Sequence, residues 1–195
     1  LRALPNLAIL APRDDCDLRA MLEWALAQPG PVAIRYPRDK AATIGDAGVR
    51  DISRGEILHH GADAMFLAVG SLVRACLKAA ELLECEGVSA GVADARWIKP
   101  LDVALLDALA SVPLITVEEN ALMGGFGSAV LEYYEKAGRL ADIRIHRVGL
   151  PDRFAEHATR AQQLADLGLD CRSLAAAARA LVTVAPEMGE RALRS

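Results

Sequence analysis

Residues 114–128 constrain the fold of this chain more than any other segment. The sequence there, LITVEENALMGGFGS, opens with a short apolar run that contains β-branched residues and ends in two adjacent carboxylates, Glu118 and Glu119. A glycine-rich turn follows, and a helical pattern begins after it. This order predicts a strand, a turn and a helix of an α/β sheet, with polar groups at the carboxyl end of the strand. Loops at that edge of a sheet usually face a ligand or a partner.

Apolar runs and helical apolar stripes alternate along the rest of the chain, which predicts an α/β fold with a mostly parallel sheet and helices on both faces. Strands are expected near residues 6–11, 31–36, 56–59, 64–69, 88–92, 114–117 and 143–148, and helices near 18–26, 72–83, 102–109, 128–136 and 174–182. We divide the chain into a β-α-β piece over residues 1–40, a linker over 41–62, a main unit over 63–185 and a tail over 186–195.

Composition limits the classes of partner. Hydrophobic residues make up 53% of the chain and charged residues 25%, which is typical of a packed globular protein. A net charge of −4 disfavours a nucleic acid or an anionic membrane as partner, and the apolar runs are too short to span a bilayer. The four cysteines show no C-x-x-C spacing, which favours a reduced, cytoplasmic chain. Because the first residue is leucine, we expect a fragment of a longer protein.

The glycine-rich turn admits two interpretations. Gly124, Gly125 and Gly127 before a helix resemble a phosphate cradle, because N–H groups at a helix start attract anions. Glu118 and Glu119 would repel a phosphate, however, and the pattern is neither G-x-G-x-x-G nor a Walker A motif, so a tight structural turn is favoured. Adjacent side chains on a strand point to opposite faces. That favours one solvated glutamate and one structural or interface glutamate over a general acid/base pair.

Two arginines at the end of a predicted strand form a stronger candidate site than the glycine-rich turn. Arg35 and Arg38 frame the sequence RYPR, and a guanidinium group can bind two oxygens of a phosphate or carboxylate at once. Surface or ion-pair roles are the common alternative for such residues. The four histidines lack ligand-like spacing, so no metal site is expected, and no Ser/His/Asp or Cys/His nucleophile system stands out.

Five stretches of the sequence, taken together, resemble one enzyme family. They are AIRYPR at 33–38, DARWIKPLD at 94–102, TVEENALMGGFGS at 116–128, GLPDRFAEH at 149–157 and LGLD at 167–170. Their order and spacing are similar to those of the 1-deoxy-D-xylulose-5-phosphate synthases, thiamine-diphosphate enzymes of the transketolase superfamily. The glutamate pair and glycines alone would also fit transketolases or the β subunit of 2-oxo-acid dehydrogenases. The GLPDRF and LGLD stretches favour the synthases.

The resemblance implies a reaction and a substrate-binding residue. Members of the family condense pyruvate with D-glyceraldehyde 3-phosphate to 1-deoxy-D-xylulose 5-phosphate and CO₂, a precursor step for isoprenoids and thiamine, as cytoplasmic homodimers. Arg38 matches a family arginine that binds the anionic end of a substrate, and Arg35 is a weaker candidate for that role. Asp39 departs from the family, which usually has glycine there. Residues 1–40 would be the end of the pyrimidine-binding domain, and 63–185 the carboxy-terminal domain.

The resemblance also implies which groups lie outside this chain. In the family, thiamine diphosphate and Mg²⁺ are held by a Gly-Asp-Gly…Asn motif of the first domain, which also supplies catalytic histidines. The second domain supplies a glutamate that activates the cofactor. The sequence has no counterpart of these, so catalytic, cofactor and metal ligands are expected elsewhere and the chain alone is expected to be inactive. The alternatives are a β-type subunit of a 2-oxo-acid dehydrogenase or transketolase completed by another chain, and a non-enzymatic α/β module that dimerises through the glycine turn.

Overall fold

A computed structural model describes residues 1–39, 43–45, 48 and 50–183 of the 195-residue chain. The strands in these ranges are β1 Ala8–Leu10, β2 Val32–Ile34, β3 Glu56–His59, β4 Ala64–Ala68, β5 Ala90–Asp94, β6 Trp97–Lys99, β7 Leu114–Ala121 and β8 Ile145–Leu150. The helices are α1 Asp15–Leu26, α2 Val73–Glu84, α3 Val103–Leu109, α4 Phe126–Lys136, α5 Arg160–Asp166 and α6 Cys171–Thr183, with a 3₁₀ turn at Gly70–Leu72. The predicted tail and part of the predicted linker lie outside the described residues.

The main sheet has five strands in the order β3-β5-β4-β7-β8. β5, β4, β7 and β8 run parallel, and β3 pairs antiparallel with β5 at one edge. Alternate residues of β4 point to opposite faces of the sheet. Phe66 packs with α2 and α6, whereas Met65 and Leu67 pack with α3 and α4. The predicted α/β class, with a mostly parallel sheet covered on both faces, is confirmed.

A second, three-stranded sheet joins the amino-terminal segment to a strand from the middle of the chain. β1 pairs parallel with β2 and antiparallel with β6, in the order β2-β1-β6. The indole N–H of Trp97 in β6 donates to the Ile52 carbonyl at 2.7 Å, and its ring meets that of Trp24 edge-on, with centroids 4.9 Å apart. The amino-terminal β-α-β piece is thus attached through β6, which the sequence pattern did not reveal. The division into residues 1–40, 41–62 and 63–185 stays a prediction.

A cluster of ionic side chains lies beneath this small sheet. Arg13 approaches Asp94 at 3.3 Å and Glu56 at 2.8 Å, and Arg50 approaches Asp14 at 2.9 Å. Of the cluster's side chains, only that of Glu56 is substantially exposed. We define the junction cluster, within the described residues, as Arg13, Asp14, Asp17, Arg50, Glu56, Asp94 and Arg96.

Among the described residues, no helix is both long and apolar enough to cross a bilayer.

Candidate functional site

The candidate site lies where several parallel strands end. The segment after β2, the 3₁₀ turn after β4 and the carboxyl end of β7 meet at one edge of the structure, close to the start of α5. Between them is a cleft of about 480 Å³. We define the arginine cleft by six residues of its wall, Tyr36, Arg38, Asp39, Ser71, Arg74 and Arg160. Arg13 and Asp14 of the junction cluster line its inner side. Clefts at the carboxyl ends of strands are the usual binding places of open α/β sheets.

The two predicted substrate-binding arginines have different surroundings. Arg38 is exposed and lines the arginine cleft. Arg35 is partly buried: its Nη1 donates to the Glu119 carbonyl at 2.8 Å, and its backbone N–H donates to the Leu10 carbonyl at 2.9 Å. Burial lowers the pKa of Arg35, an effect that the nearby glutamates oppose. Of these two arginines, Arg38 therefore lines the cleft, and Arg35 ties the segment after β2 to β7.

The glycine-rich turn already holds an anion that belongs to the chain itself. The buried Glu118 carboxylate accepts the backbone N–H groups of Phe126 at 2.7 Å and Gly127 at 2.8 Å, at the start of α4. A Cβ at Gly125 would lie 2.4 Å and 2.6 Å from the two Glu118 oxygens, so this close approach requires glycine. Gly124 has a φ of +68°, which also favours glycine. Glu118 thus occupies the N–H groups that a bound phosphate would need.

Glu119 contacts Arg160 and Ser71, two residues of the arginine cleft's wall. One of its carboxylate oxygens accepts from Arg160 Nε at 3.1 Å, and the other accepts from Arg160 Nη2 and, at 3.1 Å, from the Ser71 hydroxyl. Arg160 Nη1 contacts the Asp39 carboxylate at 3.2 Å. Burial lowers the pKa of Arg160, but hydrogen bonds and charge from Glu119 and Asp39 outweigh this and raise it. The glutamate pair therefore has one structural member and one member in an ionic network.

Arg160 and Ser71 are cleft residues that sequence reasoning missed. Arg160 is the first residue of α5, a helix with no buried residue and hence no apolar periodicity to detect. A local signal was present, because Thr159 and Gln162 form a capping box at the start of this helix. Nothing in the sequence near Ser71 indicates that it would lie beside a residue 89 positions away.

The described residues do not offer a fitting set of ligands for thiamine diphosphate and Mg²⁺. Within that part of the chain, one group of three potential ligands lies close together, Asp14, Asp15 and Cys16. The Asp14 carboxylate is already engaged by the backbone N–H groups of Asp17 and Ile44 and by Arg50. The N–H groups at the glycine turn are taken by Glu118. That the cofactor ligands lie outside this chain stays a prediction.

Similarity to known proteins identifies the family. Residues 53–174 match the family described as transketolase, C-terminal domain. The chain belongs to the transketolase C-terminal domain family. Among solved members of the superfamily, a split-gene transketolase described as an inactive β4 tetramer superposes with a TM-score of 0.85 at 33% identity, covering 93% of this chain and 60% of that one. A transketolase variant from Pichia stipitis has a TM-score of 0.67 at 18% identity over 93% of this chain and 26% of that one, a likeness of fold alone.

Curated relatives of this transketolase C-terminal domain are synthases. The chain is 42% identical over 190 residues to the 1-deoxy-D-xylulose-5-phosphate synthase of Anaeromyxobacter sp. (strain K), covering 93% of this chain and 30% of that protein. It is 44% identical over 187 residues to 1-deoxy-D-xylulose-5-phosphate synthase 1 of Geobacter sulfurreducens, covering 93% of this chain and 29% of that protein. The chain therefore spans about 30% of the length of these relatives. The predicted family resemblance is confirmed.

Proposed function

We propose that this chain serves as the carboxy-terminal part of a 1-deoxy-D-xylulose-5-phosphate synthase. The enzyme would condense pyruvate with D-glyceraldehyde 3-phosphate and release CO₂, with thiamine diphosphate and Mg²⁺ held by residues outside this chain. The similarity to curated synthases over 93% of the chain supports the activity. The observation that carries the role of the chain itself is the exposure of Arg38 in the arginine cleft.

In this proposal Arg38 binds the phosphate or carboxylate end of a substrate. Its guanidinium can donate two parallel hydrogen bonds to two oxygens of such a group, which fixes orientation as well as charge. Arg74 and Arg160 line the same cleft and add positive potential. The chain would thus orient one substrate, while the reacting groups are supplied elsewhere. A cytoplasmic location and a homodimer, both implied by the resemblance, stay predictions.

The test substitutes Arg38 in the assembled enzyme that contains this chain. Arg38→Ala removes a hydrogen bond to a charged group, which contributes about 1.5–3 kcal/mol. We therefore expect kcat/KM to fall roughly 10- to 100-fold while cofactor affinity stays nearly unchanged. Arg38→Lys should recover only part of the loss, because lysine keeps the charge but lacks the two-pronged geometry. Steady-state kinetics with each substrate varied in turn measures both effects.

Arg35 supplies the control for this experiment. Because its guanidinium donates to the Glu119 carbonyl inside the structure, Arg35→Ala should lower the free energy of unfolding more than it affects substrate binding. Wild-type kcat/KM in Arg38→Ala for both substrates would contradict the proposal. A substrate defect confined to Arg35→Ala would also contradict it.

One observation favours a second candidate. The split-gene transketolase that this chain resembles at 33% identity is encoded as separate parts, which favours a separate subunit completed by another chain. An encoding gene that continues in frame upstream through a Gly-Asp-Gly motif would support the single-chain synthase. A gene that ends at this segment, next to one encoding the cofactor-binding part, would support the separate subunit.

A further inference from the structure

Arg160 is held at the arginine cleft by two carboxylates, and its contacts with them differ in strength. Its Nε and Nη2 donate hydrogen bonds to the two carboxylate oxygens of Glu119, and Nη2 also contacts the Ser71 hydroxyl at 3.0 Å. Its third nitrogen, Nη1, contacts one oxygen of Asp39 at 3.2 Å. The Glu119 side chain is 27% exposed, whereas that of Asp39 is 49% exposed. An exposed contact to one oxygen is much weaker than a two-pronged contact that is partly buried.

The Asp39 carboxylate lies where an incoming anion would be bound. Asp39 follows Arg38 in sequence, lines the same cleft and neutralises part of the positive charge that Arg160 brings to it. A phosphate held by Arg38 would meet this carboxylate as a like charge and would compete with it for Arg160 Nη1. Glu119 and Ser71 would keep the guanidinium in place during such an exchange, because their contacts use its other nitrogens.

We propose that Asp39 is an internal competitor for anions in the arginine cleft, and that Arg160 is a second anion-binding residue which Asp39 occupies until a ligand arrives. Anion binding exchanges the Arg160–Asp39 contact for an Arg160–phosphate contact, with no other change at Glu119. This inference rests on the proposed function, because it takes Arg38 as the first anion contact. Asp39 thereby sets the affinity of the cleft and favours dianionic phosphate groups, which can displace it, over weaker anions.

The competitor role and a structural role for Asp39 predict opposite effects of one substitution. If Asp39 only held Arg160 and the neighbouring segment in place, Asp39→Asn would weaken anion binding. If Asp39 competes with the ligand, Asp39→Asn removes the competing charge and frees Nη1, so affinity rises. We expect the dissociation constant for inorganic phosphate to fall about three- to tenfold, as for the loss of one partly solvated like charge near the ligand.

The experiment titrates inorganic phosphate into the ¹⁵N-labelled 195-residue chain at constant ionic strength and follows the arginine Nε–H resonances. The variants are Asp39→Asn, Arg160→Gln, the double variant and Arg38→Ala. Asp142→Asn is the matched control, because it makes the same charge change at an exposed position ahead of β8, at the opposite end of the parallel strands. A thermal unfolding curve for each variant confirms that it is folded.

The expected pattern has three parts. Asp39→Asn binds phosphate more tightly than wild type, and Asp142→Asn changes the dissociation constant less than about twofold, since its charge is remote and screened. Arg160→Gln binds more weakly, and in its background the gain from Asp39→Asn shrinks to less than about twofold, because the freed contact is absent. The Arg160 Nε–H resonance should respond to phosphate together with that of Arg38.

The outcomes separate this inference from the proposed function. If Arg38→Ala weakens phosphate binding but Asp39→Asn leaves it unchanged or weaker, the inference alone is overturned. Wild-type affinity in Arg38→Ala contradicts the proposed role of Arg38. A gain in Asp39→Asn that persists undiminished in the Arg160→Gln background overturns the role of Arg160. If neither wild type nor any variant binds phosphate, both are overturned.

Discussion

Asp94, at the end of β5, places its carboxylate inside the junction cluster, beside Arg13 and Arg96. Its side chain is fully buried, and its pKa is raised to about 7 by burial and by the neighbouring negative charge of Asp17, while Arg96 and Arg13 oppose the rise. The charge balance of the junction cluster acts in the same direction as burial, because the cluster sets four carboxylates against three guanidinium groups. The exposed carboxylate is that of Glu56, so burial, which disfavours the charged form, is the main reason that Asp94 keeps a proton to higher pH.

This proton makes stability depend on pH. Because the pKa of Asp94 is higher in the folded chain than its usual 3.8, folding takes up a proton between these values, and stability falls as pH rises toward 7. We expect the free energy of unfolding to decrease by up to about 1.4 kcal/mol per pH unit between about pH 5 and 7. Asp94→Asn should flatten this slope. Glu118, whose pKa burial also raises, contributes a slope of the same sign.

Urea unfolding at several pH values measures the slope. Asp142→Asn, at an exposed site outside the cluster, is the control and should keep the wild-type pH dependence. An Asp94→Asn variant with an unchanged slope would show that the proton is bound elsewhere.

At the scale of elements, hydrophobic periodicity predicted the strands and helices of the main sheet. It did not predict the elements that form only through contacts between residues far apart in the sequence. β4, α2 and β7 carry strong apolar patterns, and each was expected close to its observed position. β6 has only three residues and exists as a strand because β1, nearly 90 positions earlier, pairs with it. β7 continues past its expected end at Val117, because the buried Glu118 carboxylate is satisfied by helix N–H groups that lie further along the chain.

The same distinction applies to the candidate site. The sequence identifies Arg35 and Arg38 as candidate binding residues because they follow a predicted strand in a compact motif. The carboxyl ends of strands are the usual binding edge of an α/β sheet. Which of them faces the cleft depends on the Glu119 carbonyl, which engages Arg35 from 84 positions away. Arg160 belongs to the cleft through contacts with Glu119 and Asp39, 41 and 121 positions away, and no local pattern encodes such a contact.

The start of α4 offers a prediction at this scale. Glu118 caps the helix by accepting two backbone N–H groups in a buried place. Glu118→Gln turns an NH₂ group toward one of those donors and leaves a buried N–H without an acceptor, so we expect a loss of about 1–3 kcal/mol in the free energy of unfolding. Glu132→Gln makes the same change in α4 at an exposed ion pair with Arg2 and should cost less than about 1 kcal/mol. Equal losses in urea unfolding of the two variants would contradict the capping role.

At the scale of the whole molecule, the small sheet depends on contacts from outside its own β-α-β piece. Its apolar cluster contains Leu10 and Met21 from that piece, together with Ile52 and Trp97 from later in the chain. The larger apolar clusters on the two faces of the main sheet do not include the Trp97 side chain. Loss of Trp97 should therefore weaken the small sheet more than the main sheet.

Trp97→Ala tests this dependence directly. Removing a buried tryptophan costs about 3–5 kcal/mol, which corresponds to a roughly 100- to 4,000-fold loss of local protection against hydrogen exchange. We expect the amides of β1 to lose protection by this factor, while those of β4 change less than about tenfold, because β4 is buried between two clusters that lack Trp97. Native-state hydrogen exchange resolves the two strands separately. An equal loss in both would mean that the two sheets open as a single cooperative unit, contrary to the division at residues 41–62. Unequal loss would mean that the β-α-β piece can open while the main sheet, with Glu119 and Arg160 at its edge, stays folded.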